Sequence, residues 1–120
     1  MATILVVDDR PTNLEFLTTL IGYTHHKAIE AADGAVALDL VQKVRPDLVI
    51  TDILMPTMNG YELVEASLKM RPELKVLMMT AYPTDRPPPA ALKAREIRTL
   101  VKPFDPDRMC NLVVDMLARP

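Results

Sequence analysis

The sequence predicts an α/β fold: a doubly wound, five-stranded parallel sheet with five helices, in one domain spanning residues 1–120. Three observations carry this. Short apolar runs alternate with segments of helical periodicity along the chain, the connections between them are brief, and several runs stop abruptly on a polar residue. Strands buried on both faces read as continuous apolar runs, and strands separated by helices join through right-handed crossovers to parallel neighbours.

The first run, Thr3 to Val7 (TILVV), ends at Asp8 and Asp9. Beyond Arg10, the residues Leu14, Leu17, Leu20 and Ile21 recur at helical spacing, with Pro11 or Thr12 suited to the first turn. A weaker strand covers Lys27 to Ala31, and an Asp33-Gly34 turn leads into a helix with Val36, Leu40, Val41 and Val44 on one side, ended by Pro46. The run Leu48 to Thr51 again closes on an aspartate, Asp52. Turn chemistry over Met55 to Gly60 opens a third helix, marked by Tyr61, Leu63, Val64 and Leu68 and finished before Pro72. Val76 to Met79 forms the fourth strand, ending at Thr80 and Ala81. Pro83, Pro87, Pro88 and Pro89 deny a helix interior to the following stretch, so the fourth helix starts near Ala90. Leu100 and Val101 make the fifth strand, ending at Lys102 and Pro103, and Met109, Leu112, Val113, Met116 and Leu117 stripe the last helix.

A composition of 49% hydrophobic and 25% charged residues is that of a soluble domain with a core. The net charge of -2 leaves no electrostatic footprint for direct nucleic-acid binding and no basic stretch that seeks a membrane. A single cysteine, Cys110, forms no intrachain disulfide, and the absence of any charged-then-apolar leader points to a cytoplasmic location. Cys110 lies in an apolar-periodic segment and reads as a small core or boundary residue. His25 and His26 read as loop or strand-edge residues, since one cysteine and two adjacent histidines cannot complete a zinc site.

In parallel sheets covered on both faces, function gathers at the carboxyl ends of the strands. Asp8 and Asp9, Asp52, Thr80 and Lys102 all fall there. Three neighbouring carboxylates repel unless a cation compensates them, and an all-oxygen site with open positions suits Mg²⁺, with Mn²⁺ as a substitute. A carboxylate beside such a metal acts as a nucleophile toward phosphorus while an ammonium and a hydroxyl hold the other phosphoryl oxygens. Asp52, Lys102 and Thr80 supply those groups. Taken singly, each has a bland reading: a strand-end aspartate as a helix cap, a lysine before proline as a solvated charge, a threonine as an ordinary strand residue.

The ordered set ILVVDD, DLVITDILMPTMNG, VLMMTA and LVKPF resembles the response-regulator receiver family of two-component signalling, chemotaxis regulators included, along essentially the whole chain. That resemblance implies a flavodoxin-like (βα)5 receiver fold with Asp52 as phosphoacceptor. It implies Asp9 as a direct metal ligand, Asp8 acting through a metal-bound water, and the Leu54 backbone carbonyl as a further ligand. Lys102 then grips the phosphoryl group, Thr80 swings toward it, and the bond before Pro103 is cis. The implied donor is a phosphohistidine on a sensor histidine kinase or phosphotransfer protein, with the receiver supplying much of the geometry; the module is therefore not an enzyme beyond self-catalysed transfer and dephosphorylation. The family's readout alters the surface of the fourth helix, fifth strand and fifth helix, which binds a partner or a second receiver.

The chain departs from the family pattern at Thr99, where an aromatic residue is usual, over Ala94 to Arg98, which lack a small Ala-Gly turn, and at the 87–89 proline cluster. Intact phosphoryl chemistry with an altered switch is the expectation. Leu54 and Tyr82, flanking the path of a hydrolytic water in the family, predict slow autodephosphorylation; a Leu54→Asn variant losing its phosphoryl group no faster than the parent would refute this. The stretch DDRPTN is similar to receivers attached to larger signalling proteins. Rival readings are an interaction module that keeps the fold without phosphorylation, and a haloacid-type phosphatase, which would carry an aspartate where Leu54 stands. With only Gly22, Gly34 and Gly60, a glycine-rich nucleotide or flavin loop is lacking.

Overall fold

The structure is a computed structural model that describes residues 2–52, 60–80, 97–102 and 104–118. Its five strands are β1 (Thr3–Val7), β2 (Lys27–Ala31), β3 (Leu48–Asp52), β4 (Lys75–Thr80) and β5 (Ile97–Val101). They form one parallel sheet in the order β2-β1-β3-β4-β5. The described helices are α1 (Pro11–Gly22), α2 (Gly34–Val44), α3 (Gly60–Met70) and α4 (Pro106–Ala118). The helix expected near Ala90 and the peptide bond before Pro103 lie outside the described residues.

Alternation along the strands builds two cores. Ile4, Val6, Leu48, Ile50, Leu77 and Met79 pack under α1 and α4, whereas Leu5, Val7, Val49, Val76 and Met78 pack under α2 and α3. Both faces are therefore covered, which explains why these strands read as unbroken apolar runs. Pro11 opens α1, where its missing N–H costs nothing. Asp33 caps α2, its carboxylate accepting from the Val36 amide at 2.9 Å, and Arg45 ends α2 in the left-handed region just before Pro46.

Two expectations need correction. In α2 the buried residues are Gly34, Ala37 and Val41, while Val36 and Val44 are 44% and 38% exposed. Val41 is buried and Leu40 packs against the core as expected, but the small Gly34 and Ala37 complete that face in place of Val36 and Val44. In addition, β5 starts at Ile97 rather than Leu100. As an edge strand it is half exposed, so Arg98 and Thr99 interrupt the apolar signal without interrupting the ladder with β4.

Cys110 is half-buried against the α1 core, its Sγ 3.6 Å from the Leu20 carbonyl, and burial pushes its thiol above the ordinary value. His25 takes a positive φ in the turn before β2, and the Nδ1 of His26 accepts from the Ala2 amide. No described helix is long and apolar enough to cross a membrane.

Candidate phosphoacceptor site

The strand registers bring the polar residues to one end of the sheet. Val7 pairs with Thr51, so Asp8 and Asp52 leave adjacent strands side by side, about 4.8 Å apart in the ladder direction. Thr80 pairs with Val101, so Lys102 emerges next to the end of β4. The Lys102 amide donates to the Thr80 carbonyl at 2.7 Å, which fixes where the lysine side chain starts. Its Nζ reaches across β4 to Asp52 Oδ2 at 2.8 Å, with the lysine 27% and the aspartate 17% exposed.

Asp8 is fully buried. Its Oδ1 accepts from the Arg10 backbone amide at 2.9 Å and its Oδ2 from the Asn13 side-chain amide at 3.3 Å. Burial raises its pKa above the ordinary carboxylate value; the Arg10 and Asn13 hydrogen bonds and the Lys102 charge pull it back, and the Asp52 charge adds to the rise. Asp8, Asp52 and Lys102 thus feel one another directly.

Asp9 is different. It is exposed, and among the described residues no three acidic, histidine or cysteine side chains converge as a preformed metal cage. Asp9 does not cap α1 either, whose N-cap is Arg10 with no side-chain bond. Thr80 is buried at the end of β4, on the side of the sheet continued from Val76 and Met78. Leu54 lies outside the described residues.

The donor set fits a hard divalent cation. Mg²⁺ keeps several waters and asks for only one or two protein carboxylates, so a pair at adjacent strand ends with a third acidic group in solvent suffices without a cage. Burial alone disfavours the charged form of Asp8, and a cation bound there would offset that cost.

A cleft of about 480 Å³ opens beside Asp8, lined by the polar Asp8, Asn13 and Lys102 and by the apolar Phe16, Leu17 and Phe104. The Phe16 and Phe104 rings lie 6.4 Å apart, tilted by 37°. Sequence reasoning singled out neither this ring pair nor Arg10 and Asn13. The available signal was position: Asn13 falls five residues after Asp8, in the first turn of a helix that starts from the acidic loop.

A family model described as the response regulator receiver domain matches residues 4–114. The chain belongs to that family. This receiver is 37% identical over 114 residues to protein CcdB of Bacillus subtilis, covering 94% of this chain and 95% of the relative. It is 32% identical over 110 residues to the sporulation initiation phosphotransferase F of the same organism, covering 92% and 89%. Among solved structures, the chemotaxis protein CheY4 of Vibrio cholerae superposes with a TM-score of 0.81 at 30% identity, covering 97% of this receiver and 98% of that chain. Other relatives are longer, and the receiver spans 24% to 48% of their length.

Proposed function

We propose that this receiver accepts a phosphoryl group from a partner phosphohistidine onto Asp52, in a Mg²⁺-dependent reaction, and passes the change to an interaction surface around β5 and its flanking helices. The observation that carries the reading is the Asp52–Lys102 pair at 2.8 Å, with the fully buried Asp8 at the neighbouring strand end of a parallel sheet. A structural ion pair alone would need no second, buried carboxylate at the neighbouring strand end.

In this reading an Asp52 oxygen forms the new bond to phosphorus as the N–P bond of the donor breaks and the imidazole nitrogen keeps the electron pair. Lys102 holds a phosphoryl oxygen from the position it now occupies on Asp52, and the Thr80 hydroxyl takes another. Asp8, Asp9, Asp52 and the Leu54 carbonyl would hold Mg²⁺, with Mn²⁺ able to replace it; when bound, the cation neutralises charge on the transferring group. The whole of residues 1–120 acts as one such domain, in the cytoplasm, with a sensor histidine kinase or phosphotransfer protein as donor and a second receiver as a pairing partner. The exposed Thr99 on β5 supports a switch that does not use an aromatic side chain at that position.

The test is intact mass after incubation with acetyl phosphate and Mg²⁺. A gain of one phosphoryl group that vanishes in Asp52→Asn and in the presence of a chelator is the expected result. An unmodified parent would defeat the proposal and leave the interaction module as the reading.

A further inference from the structure

We propose that Asn13 is a positioning residue for the divalent-cation site, its side-chain amide holding the buried Asp8 carboxylate in the orientation the cation requires. The inference rests on the metal-dependent reading above and adds to it a residue outside the acidic set.

Asp8 is held by two donors on a short stretch of chain, one on each carboxylate oxygen. Arg10 N–H meets Oδ1 at 2.9 Å and Asn13 Nδ2 meets Oδ2 at 3.3 Å. A carboxylate offers about four lone-pair sites. Two donors occupy about half of that capacity, fix the rotation of the group, and leave the remainder for a cation or a water bound to it. The two halves of the clamp differ in origin: the Arg10 donor is backbone, which any residue but proline supplies, whereas the Asn13 donor is specified by the side chain. The Asn13 amide is turned to Asp8 at the wall of the cleft. Outer partners that orient a metal-binding group change metal affinity by about 10–100-fold when removed. For one neutral donor at 3.3 Å the lower end applies.

The experiment is a Mg²⁺ titration of the phosphoryl-free protein, followed by calorimetry and by backbone amide shifts, for the parent, Asn13→Ala, Asn13→Leu and Thr12→Ala. Thr12 is the exposed neighbour on the same turn and controls for changes in α1 itself. Both Asn13 variants are expected to weaken the Mg²⁺ dissociation constant about tenfold, with Thr12→Ala within about twofold of the parent. Equal affinity in parent and Asn13 variants overturns the proposal, as does an equal loss in Thr12→Ala. A parent that binds no Mg²⁺ is a separate outcome, which removes the metal-dependent reading and this inference with it.

Discussion

Replacing Lys102 by methionine in magnesium-free buffer should cost far more stability than replacing its partner Asp52 by asparagine. Across 2.8 Å and at an effective dielectric near 20, the direct attraction is about 6 kcal/mol. Desolvation offsets most of it, and a charged hydrogen bond leaves about 2 kcal/mol net. Lys102 also attracts Asp8, and Asp52 repels Asp8, contributions of about 1 kcal/mol each between more separated charges. Lys102→Met forfeits both attractions, about 3 kcal/mol in all; Asp52→Asn forfeits one and relieves the repulsion, about 1 kcal/mol. The double variant should lose about 2 kcal/mol, making it more stable than Lys102→Met alone. For 120 residues each kcal/mol moves the midpoint by about 4 °C, so Lys102→Met should melt about 12 °C lower. Urea unfolding with chelator present measures all three. Additive single losses, or an Asp52→Asn variant as damaged as Lys102→Met, would refute the geometry of the charge cluster.

Asp8→Asn should stabilise the magnesium-free protein at neutral pH. The folded pKa of Asp8 is raised above its ordinary 3.8, so the stability present while the group is protonated is lost as pH climbs from there through the folded value. The advantage of the variant must therefore grow upward from about pH 3.8 and then level off, and an advantage independent of pH would count against burial as the cause. Ser67 Oγ is buried on α3 without a hydrogen-bond partner among the described residues, so Ser67→Ala should gain about 1 kcal/mol in urea unfolding, and a loss would show a partner. Thr99→Tyr should change the pattern of phosphorylation-dependent amide shifts around β5 and its flanking helices relative to the parent; identical shifts in both would show that the switch never depended on that position.

What the sequence revealed and what it concealed follow from the same physics. The ends of β1 and β3 were legible because strands covered on both faces are apolar until they leave the sheet, so Asp8 and Asp52 mark the rim without ambiguity. The face of α2 was legible only at Leu40 and Val41, since Gly34 and Ala37 make close approach possible while being weak hydrophobic signals, and Val36 and Val44 are strong ones spent on solvent. The start of β5 was hidden by its place at the sheet edge, where one side need not be apolar. Lys102 was placed correctly at a strand end, but its 2.8 Å contact with Asp52 depends on register across β4, which no local pattern encodes. Asn13 and Phe104 act across gaps in sequence and belong to the cleft only once α1 and α4 are docked on the same face.

The central claim is that the carboxylate held by Lys102 is the group that takes the phosphoryl. Borohydride trapping after exposure to acetyl phosphate and Mg²⁺, followed by peptide mapping, tests it most directly, because an acyl phosphate is reduced and leaves homoserine in place of the aspartate. The account predicts homoserine at position 52 and nowhere else. Reduction at Asp8 or Asp9, or at no aspartate in a protein that had gained phosphoryl mass, would contradict it.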